Sequence, residues 1–173
     1  LIYGIPNFKL EKEIVQRREA LLRASKVAFE LACDVGRDVP LVELRERHDA
    51  MLLATGVYEA RKIVAPGIGL PGIAAALDYL TASNRIGLGD HVPAFDSGAL
   101  DAKGKNVVVL GGGDTAMDCV RTAVRQGART VKCLYRRDRA NMPGSQREVR
   151  HAEEEGVEFV WLSAPQGFLG KDR

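Results

Sequence analysis

Apolar and polar residues alternate along this chain in two rhythms. Over residues 11–24, Ile14, Leu21 and Leu22, with Leu10 just ahead, fall on one side of a helical projection. Glu11, Lys12, Arg17, Arg18 and Glu19 cover the rest, so an amphipathic helix is expected. The period then drops to two. Val27, Phe29, Leu31 and Cys33 alternate with Ala28, Glu30 and Ala32, which predicts a strand with one set on each face. A short polar helix is expected over 40–48. A compact apolar run over 49–54, ending at Thr55-Gly56, reads as a buried strand and a turn. The Gly- and Pro-rich stretch 66–71 breaks the chain, and Ala74, Leu77 and Leu80 then recur at helical spacing within 73–82.

The second half is more regular. Gly, Asp, Pro and Ser dominate from 86 to 105, as expected of a boundary. Beyond it come an apolar run (106–110), a helical pattern (114–126), an apolar run (130–135), a charged helical pattern (145–155) and a last apolar run (157–162). Strand, helix, strand, helix, strand is the order of an α/β unit, a parallel sheet with crossover helices. Such apolar strands predict a sheet covered on both faces.

Composition narrows the functional classes. Of 173 residues, 46% are hydrophobic, enough for a buried core, and no apolar run is long enough to span a bilayer, so no membrane role is expected. The net charge of +2, with basic residues scattered, argues against nucleic acid or an anionic surface as partner. Cys33, Cys119 and Cys133 form no C-x-x-C pair and have no histidines at metal-ligand spacing. An odd cysteine count without a secretory signal fits a reducing cytosol, and a redox-active cysteine pair beside a flavin is excluded.

Candidate chemistry lies between the first strand and helix of the regular half. Gly111-Gly112-Gly113-Asp114-Thr115-Ala116 follows Val107-Val108-Val109-Leu110 and opens the helix, a G-x-G-x-x-A dinucleotide fingerprint in its proper place. The first glycine permits a tight turn, the second lets a pyrophosphate approach the backbone, and Ala116 lets helix and strand pack closely. The free N–H groups at the helix start complement the anion. The bland alternative is a glycine-rich connection. Thr115 suits a phosphate ligand or a cap equally, while Asp114, negative beside a pyrophosphate, suits ordering the turn or meeting a sugar or nicotinamide group. The fold expected is Rossmann-like.

Which dinucleotide binds is read at the end of the second strand, about 20 residues beyond the motif, where NAD sites carry an acidic residue. Here that position is Arg136, with Arg137 and Arg139 beside it. A guanidinium can form paired, charge-assisted hydrogen bonds to a 2′-phosphate, so NADPH is expected; otherwise the cluster is a solvated basic loop. His48, His91 and His151 have no evident partners, and no catalytic acid, base or nucleophile is assigned.

Several stretches resemble the small (beta) subunit of NADPH-dependent glutamate synthase, in the two-dinucleotide-binding flavoprotein superfamily. They are Tyr3 to Leu10, Val35-Gly36-Arg37-Asp38, Leu53-Ala54-Thr55-Gly56, Ala76 to Leu80, Val107 to Ala128, Tyr135-Arg136-Arg137 and Asn141-Met142-Pro143-Gly144-Ser145. The resemblance implies that Ala54-Thr55-Gly56 marks the exit from an FAD domain into the NADPH domain. It implies residues 1–85 as the later part of an FAD-type domain, 86–104 as a linker and 105–173 as an NADP(H)-binding domain. It implies Gly111 to Ala116, Arg136 and Arg137 as NADPH contacts, and Lys9, Val35, Thr55 and Gly56 as flavin-side contacts. The implied activity is a cytoplasmic electron-input module. Hydride passes from NADPH to FAD, then electrons pass through [4Fe-4S] clusters to a large (alpha) subunit that forms glutamate from glutamine and 2-oxoglutarate. The chain starts at Leu1 without a methionine and is expected to be a stretch of a longer polypeptide, with the cluster cysteines and the first glycine fingerprint upstream. The alternatives are a related module feeding ferredoxin or a pyrimidine-reducing partner, and a nucleotide-binding domain without redox chemistry.

Overall fold

The computed structural model describes residues 1–56 and 63–170. Its elements are α1 (Lys12–Ala24), α2 (Leu41–Arg47), α3 (Ala76–Gly87), α4 (Pro93–Asp96), β1 (Asn106–Leu110), α5 (Asp114–Arg125), β2 (Thr130–Leu134), α6 (Gln146–Glu154) and β3 (Glu158–Val160). Packing divides the chain into two units, one of Leu1–Val15 with Lys62–Arg173 and one of Gln16–Arg61.

The first unit is built on a three-stranded parallel sheet in the order β1-β2-β3. Asn106 pairs with Thr130, Leu110 with Leu134, and Lys132 with Glu158. The expected α/β order therefore holds, and every strand and helix from β1 onward lies within two residues of its expected bounds. The helix ends explain this accuracy. At the end of α5 the Gly127 N–H donates to Val124 O (2.9 Å) and the Ala128 N–H to Ala123 O (3.1 Å), the paired bonds that close a helix before a strand. Gly156 and Val157 repeat the arrangement after α6, donating to Glu153 O and Ala152 O at 2.9 Å each.

Among the described residues the helices cover one face of this sheet, where the apolar strands lead to an expectation of two. Val107, Val109, Val131, Cys133, Tyr135, Phe159 and Trp161, all odd-numbered, meet the core with Met117, Val120, Ala123, Val149 and Ala152. The even-numbered positions face away: Val108 is 55% exposed, and Lys132 forms a salt bridge with its register partner Glu158 at 2.9 Å. Alternation at period two separates the faces, so these two charged residues signalled an open face within runs that otherwise looked wholly apolar.

α5 lies on β1 and β2 and is flanked by α3 and α6, so Met117, Val120 and Ala123 are fully buried. Two polar arrangements hold its neighbours. Gln126 Oε1 accepts from Tyr79 Oη (2.9 Å) and from the Ala102 N–H (3.0 Å), while its Nε2 donates to Ser83 Oγ (3.0 Å), which ties α3 to the end of α5. Arg121, buried, donates to Glu148 of α6 (2.6 Å) and to Glu155 just after it (2.8 Å), and Arg125 also donates to Glu155 (2.6 Å). The Phe8 ring lies under both guanidiniums, 4.7 Å from Arg121 and 3.8 Å from Arg125.

The second unit holds most of α1, then α2, a Val35–Val39 bridge and the segment 51–56, which has no regular structure. Arg23 lies over the Phe29 ring at 4.5 Å. The helices expected over 11–24 and 40–48 form, but the strands expected over 27–33 and 49–54 do not. Alternation makes a strand possible, whereas a strand exists only where a neighbouring backbone takes up its N–H and C=O groups. Among the described residues nothing pairs with these segments, and Leu31, Leu52 and Leu53 are exposed.

Glu155 makes the α5–α6 junction sensitive to acid. Burial pushes its carboxyl up, but hydrogen bonds from Arg125 and Arg121 outweigh that and bring it down to about 2 from an ordinary 4.5. A carboxyl that ionises more readily folded than unfolded stabilises the fold above its ordinary range. That contribution is lost as pH falls from about 4.5 through about 2, and it amounts to about 1–3 kcal/mol. Urea unfolding should show the midpoint dropping across that window, and Glu155→Gln should flatten the drop. An unchanged acid profile in the variant would remove Glu155 as its source.

Candidate functional site

β1 carries the chain to the C-terminal edge of the sheet, and the glycine turn begins there. Gly111 has φ 148°, a region closed to most side chains, and its N–H donates to Leu134 O at 3.1 Å. A methyl group added at Gly111 would lie 3.5 Å from Ala116 Cβ, in ordinary contact, so a larger residue at 116 would crowd strand against helix. Gly112 is closed in a different way: a Cβ there would fall 2.5–2.9 Å from the Tyr135 ring. Beside Gly113 the space is open, with no atom within 4 Å of where a Cβ would be.

Gly113 is also the N-cap of α5, and its carbonyl accepts from the Ala116 N–H (2.9 Å) and the Met117 N–H (3.2 Å). Among the described residues the N–H groups of Gly112, Gly113, Asp114 and Thr115 find no acceptor. Unsatisfied donors at the positive end of a helix, beside open space, form a surface suited to an anion. The Thr115 side chain is exposed and uncommitted beside them.

A second segment, residues 141–145, forms the other wall of the turn. The Gly144 N–H donates to Gly112 O at 2.8 Å, and the Ser145 N–H donates to Asp114 Oδ1 at 3.0 Å. The Asp114 carboxylate thereby ties the turn to the start of α6. Behind the turn, the Cys133 thiol donates to Gly111 O at 3.3 Å. Burial raises that thiol to about 11 and the neighbouring Cys119 thiol to about 12, so both stay protonated at neutral pH.

The basic cluster divides. Arg136 and Arg137 follow β2 at the same sheet edge as the turn, exposed, and among the described residues their side chains make no hydrogen bond or ion pair. Arg139 differs: it forms a bidentate pair with Glu153 of α6, at 2.7 and 2.9 Å. Asp138 Oδ1 accepts from the Asn141 backbone and side chain (2.9 and 2.8 Å), which hold its carboxyl below the usual range.

The residues expected on a flavin side lie apart from this arrangement in sequence. The Lys9 ammonium donates to Asp118 of α5 at 2.9 Å and lies 4.0 Å from Glu148. Burial still leaves the Asp118 carboxyl raised, against the pull of Lys9. Val35, Thr55 and Gly56 belong to the second unit, where Val35 is 49% exposed, Thr55 is exposed and Gly56 turns with φ 74°. A cleft of about 460 Å3 opens at the other end of α5, lined in part by Asn7, Lys12, Asn84, Thr122 and Arg125. It does not coincide with the glycine turn, where unsatisfied donors rather than enclosed volume mark the site.

Residues 7–173 match the family described as pyridine nucleotide-disulphide oxidoreductase. The chain belongs to this family. Within these oxidoreductases it is 67% identical over 170 residues to the glutamate synthase (NADPH) small chain of Azospirillum brasilense, covering 98% of this chain and 35% of that one. It is 64% identical over 172 residues to the putative glutamate synthase (NADPH) small chain of Cereibacter sphaeroides, covering 99% of this chain and 41% of that one. The resemblance read from the motifs is therefore borne out, and the chain spans well under half the length of these relatives. Among solved structures, FprA of Mycobacterium tuberculosis in complex with NADPH superposes with a TM-score of 0.65 at 25% identity, over 90% of this chain and 38% of that one.

Tyr135, Gly144 and Ser145 are the site residues that sequence reasoning passed over as parts of the turn. The last two stand in the Asn141-to-Ser145 stretch already singled out for its resemblance, but their contact with a turn some thirty residues earlier is a property of the fold. The unequal surroundings of the glycines give a direct test. Gly112→Ala should lower stability by about 1–3 kcal/mol, because the ring or the turn must move. Gly113→Ala should leave the urea midpoint nearly unchanged and still weaken binding of a dinucleotide, whose approach it obstructs. Equal stability losses in the two variants would contradict the geometry.

Proposed function

We propose that this chain forms the NADPH-binding part of a glutamate synthase electron-input module. The observation that carries the proposal is the uncommitted pair Arg136 and Arg137 at the strand end where an NAD site would place a carboxylate, beside a turn of unsatisfied N–H groups. The names of the small-chain relatives support the same reading. In it, residues 105–173 hold the nucleotide, 86–104 connect, and 1–85 are the later part of an FAD-type domain, with Val35 and the exposed Thr55-Gly56 turn as flavin-side contacts. Lys9, tied to Asp118, contributes by holding the N-terminal segment on α5.

The residues of the turn fit a pyrophosphate: donors at Gly112 to Thr115, an open side at Gly113, and a hydroxyl at Thr115. When bound, NADPH supplies a hydride for FAD to accept, a step that requires orientation rather than a protein acid or base. The chain's part is to fix the two phosphate-bearing parts of the nucleotide, the central pyrophosphate at α5 and the 2′-phosphate at the arginines. Among the described residues no group of three or more His, Cys, Asp or Glu side chains converges to hold a metal ion. In this reading the iron–sulfur relay belongs to the upstream domain that the resemblance implies. The partner in this reading is a large subunit that forms glutamate in the cytoplasm.

Replacing Arg136 and Arg137 by Ala in the full-length enzyme should weaken NADPH at least tenfold more than NADH. Each charge-assisted bond lost contributes about 1.5–3 kcal/mol before screening at this exposed site. The measurement is kcat/KM for both nucleotides with an artificial acceptor, repeated at high salt, where the gap should narrow. Equal losses for both nucleotides would assign the arginines to the fold or to the shared part of the cofactor.

A further inference from the structure

The segment that carries Arg136 and Arg137 is closed on itself by one side chain. It leaves the sheet at Tyr135, whose N–H donates to Val160 O (3.0 Å) and whose carbonyl accepts from the Ser163 N–H (3.0 Å). Six residues later it returns to the same tyrosine, where the hydroxyl donates to Asn141 O at 3.1 Å. The loop between is drawn in by Asp138, which accepts twice from Asn141, and is pinned outside by the Arg139–Glu153 pair. The Arg137 carbonyl accepts from the Leu162 N–H at 3.2 Å. Its backbone is thus held at several points, while among the described residues the side chains of Arg136 and Arg137 make no hydrogen bond or ion pair.

The other side of Tyr135 faces the glycine turn. The ring is buried in the core and fills the space that a Cβ at Gly112 would need. One side chain therefore sets two things: the height of the turn, through the ring, and the position of the arginine-bearing loop, through the hydroxyl. We infer that Tyr135 is a positioning residue for nucleotide choice, in which the hydroxyl holds Arg136 and Arg137 at the distance from the turn that a 2′-phosphate requires. This rests on the NADPH reading given above.

The physical reason is preorganisation. With the loop held, the arginines meet the phosphate without first giving up backbone freedom; released, the loop must be ordered at the moment of binding, which lowers affinity. Only a nucleotide that uses the arginines bears that cost. NADH, which lacks the 2′-phosphate, depends on the turn alone.

The two functions of the side chain can be separated. Tyr135→Phe keeps the ring beneath Gly112 and deletes the hydroxyl, and Tyr135→Leu deletes both. Binding of NADP+ and NAD+ to the full-length, flavin-loaded protein would be measured by calorimetry, without turnover. For Tyr135→Phe the NADP+ dissociation constant should rise about three- to tenfold, the value of one neutral hydrogen bond, while that for NAD+ stays within about twofold. For Tyr135→Leu both nucleotides should weaken. In a chain already carrying Arg136→Ala and Arg137→Ala, adding Tyr135→Phe should change nothing further, because the groups it positions are gone. Unchanged NADP+ affinity in Tyr135→Phe, or equal loss of both nucleotides, would overturn the inference. If the double arginine variant instead loses NADP+ and NAD+ affinity equally, or loses neither, the NADPH reading falls, and the two failures are distinct.

Discussion

The guanidinium of Arg121, buried between Glu148 and Glu155, is the constraint on which the geometry of the turn depends. A charge in that position cannot be left without its partners, since removing one carboxylate from a buried pair costs about 3–5 kcal/mol. The pair need not stabilise the fold more than apolar packing would. It fixes how far α6 can slide along α5. That register brings the start of α6 beside the start of α5, so that Ser145 meets Asp114 and Gly144 meets Gly112. The glycine-turn end of the sheet is thus aligned by a side chain about two helical turns along α5.

Within the turn, the consecutive glycines answer to different neighbours. Gly111 satisfies a backbone angle, Gly112 the thickness of an aromatic ring, and Gly113 the space left for a ligand. The motif is a record of three separate packing problems solved in adjacent positions. Its carboxylate, Asp114, is turned toward the second helix, which leaves the donors of α5 facing outward without a negative charge directly competing for them.

Much of the regular half was legible because its signals are local. The apolar runs of β1 and β2, the helical pattern over 114–126 and the glycine turn between strand and helix each act within a few residues. Two kinds of structure were hidden. Segments 27–33 and 49–54 carry strand-like patterns, but pairing depends on a partner backbone that no pattern within the segment can supply. The wall formed by 141–145 joins residues some thirty positions apart, and only the fold makes that contact. The one-sided sheet lay between these cases, since Lys132 and Glu158 could have been read as its open face had their alternation been weighed against the apolar run.

The sulfur chemistry of the chain follows from the same burial. Cys119 and Cys133 sit in the core with their protons held well above neutral pH, while Cys33 is exposed. Oxidants and alkylating reagents act on thiolates they can reach, so the native molecule presents one sulfur and conceals two. The number of thiols that react under mild conditions becomes a gauge of intactness, reading one when the α5–β2 core is closed and three when it has come apart.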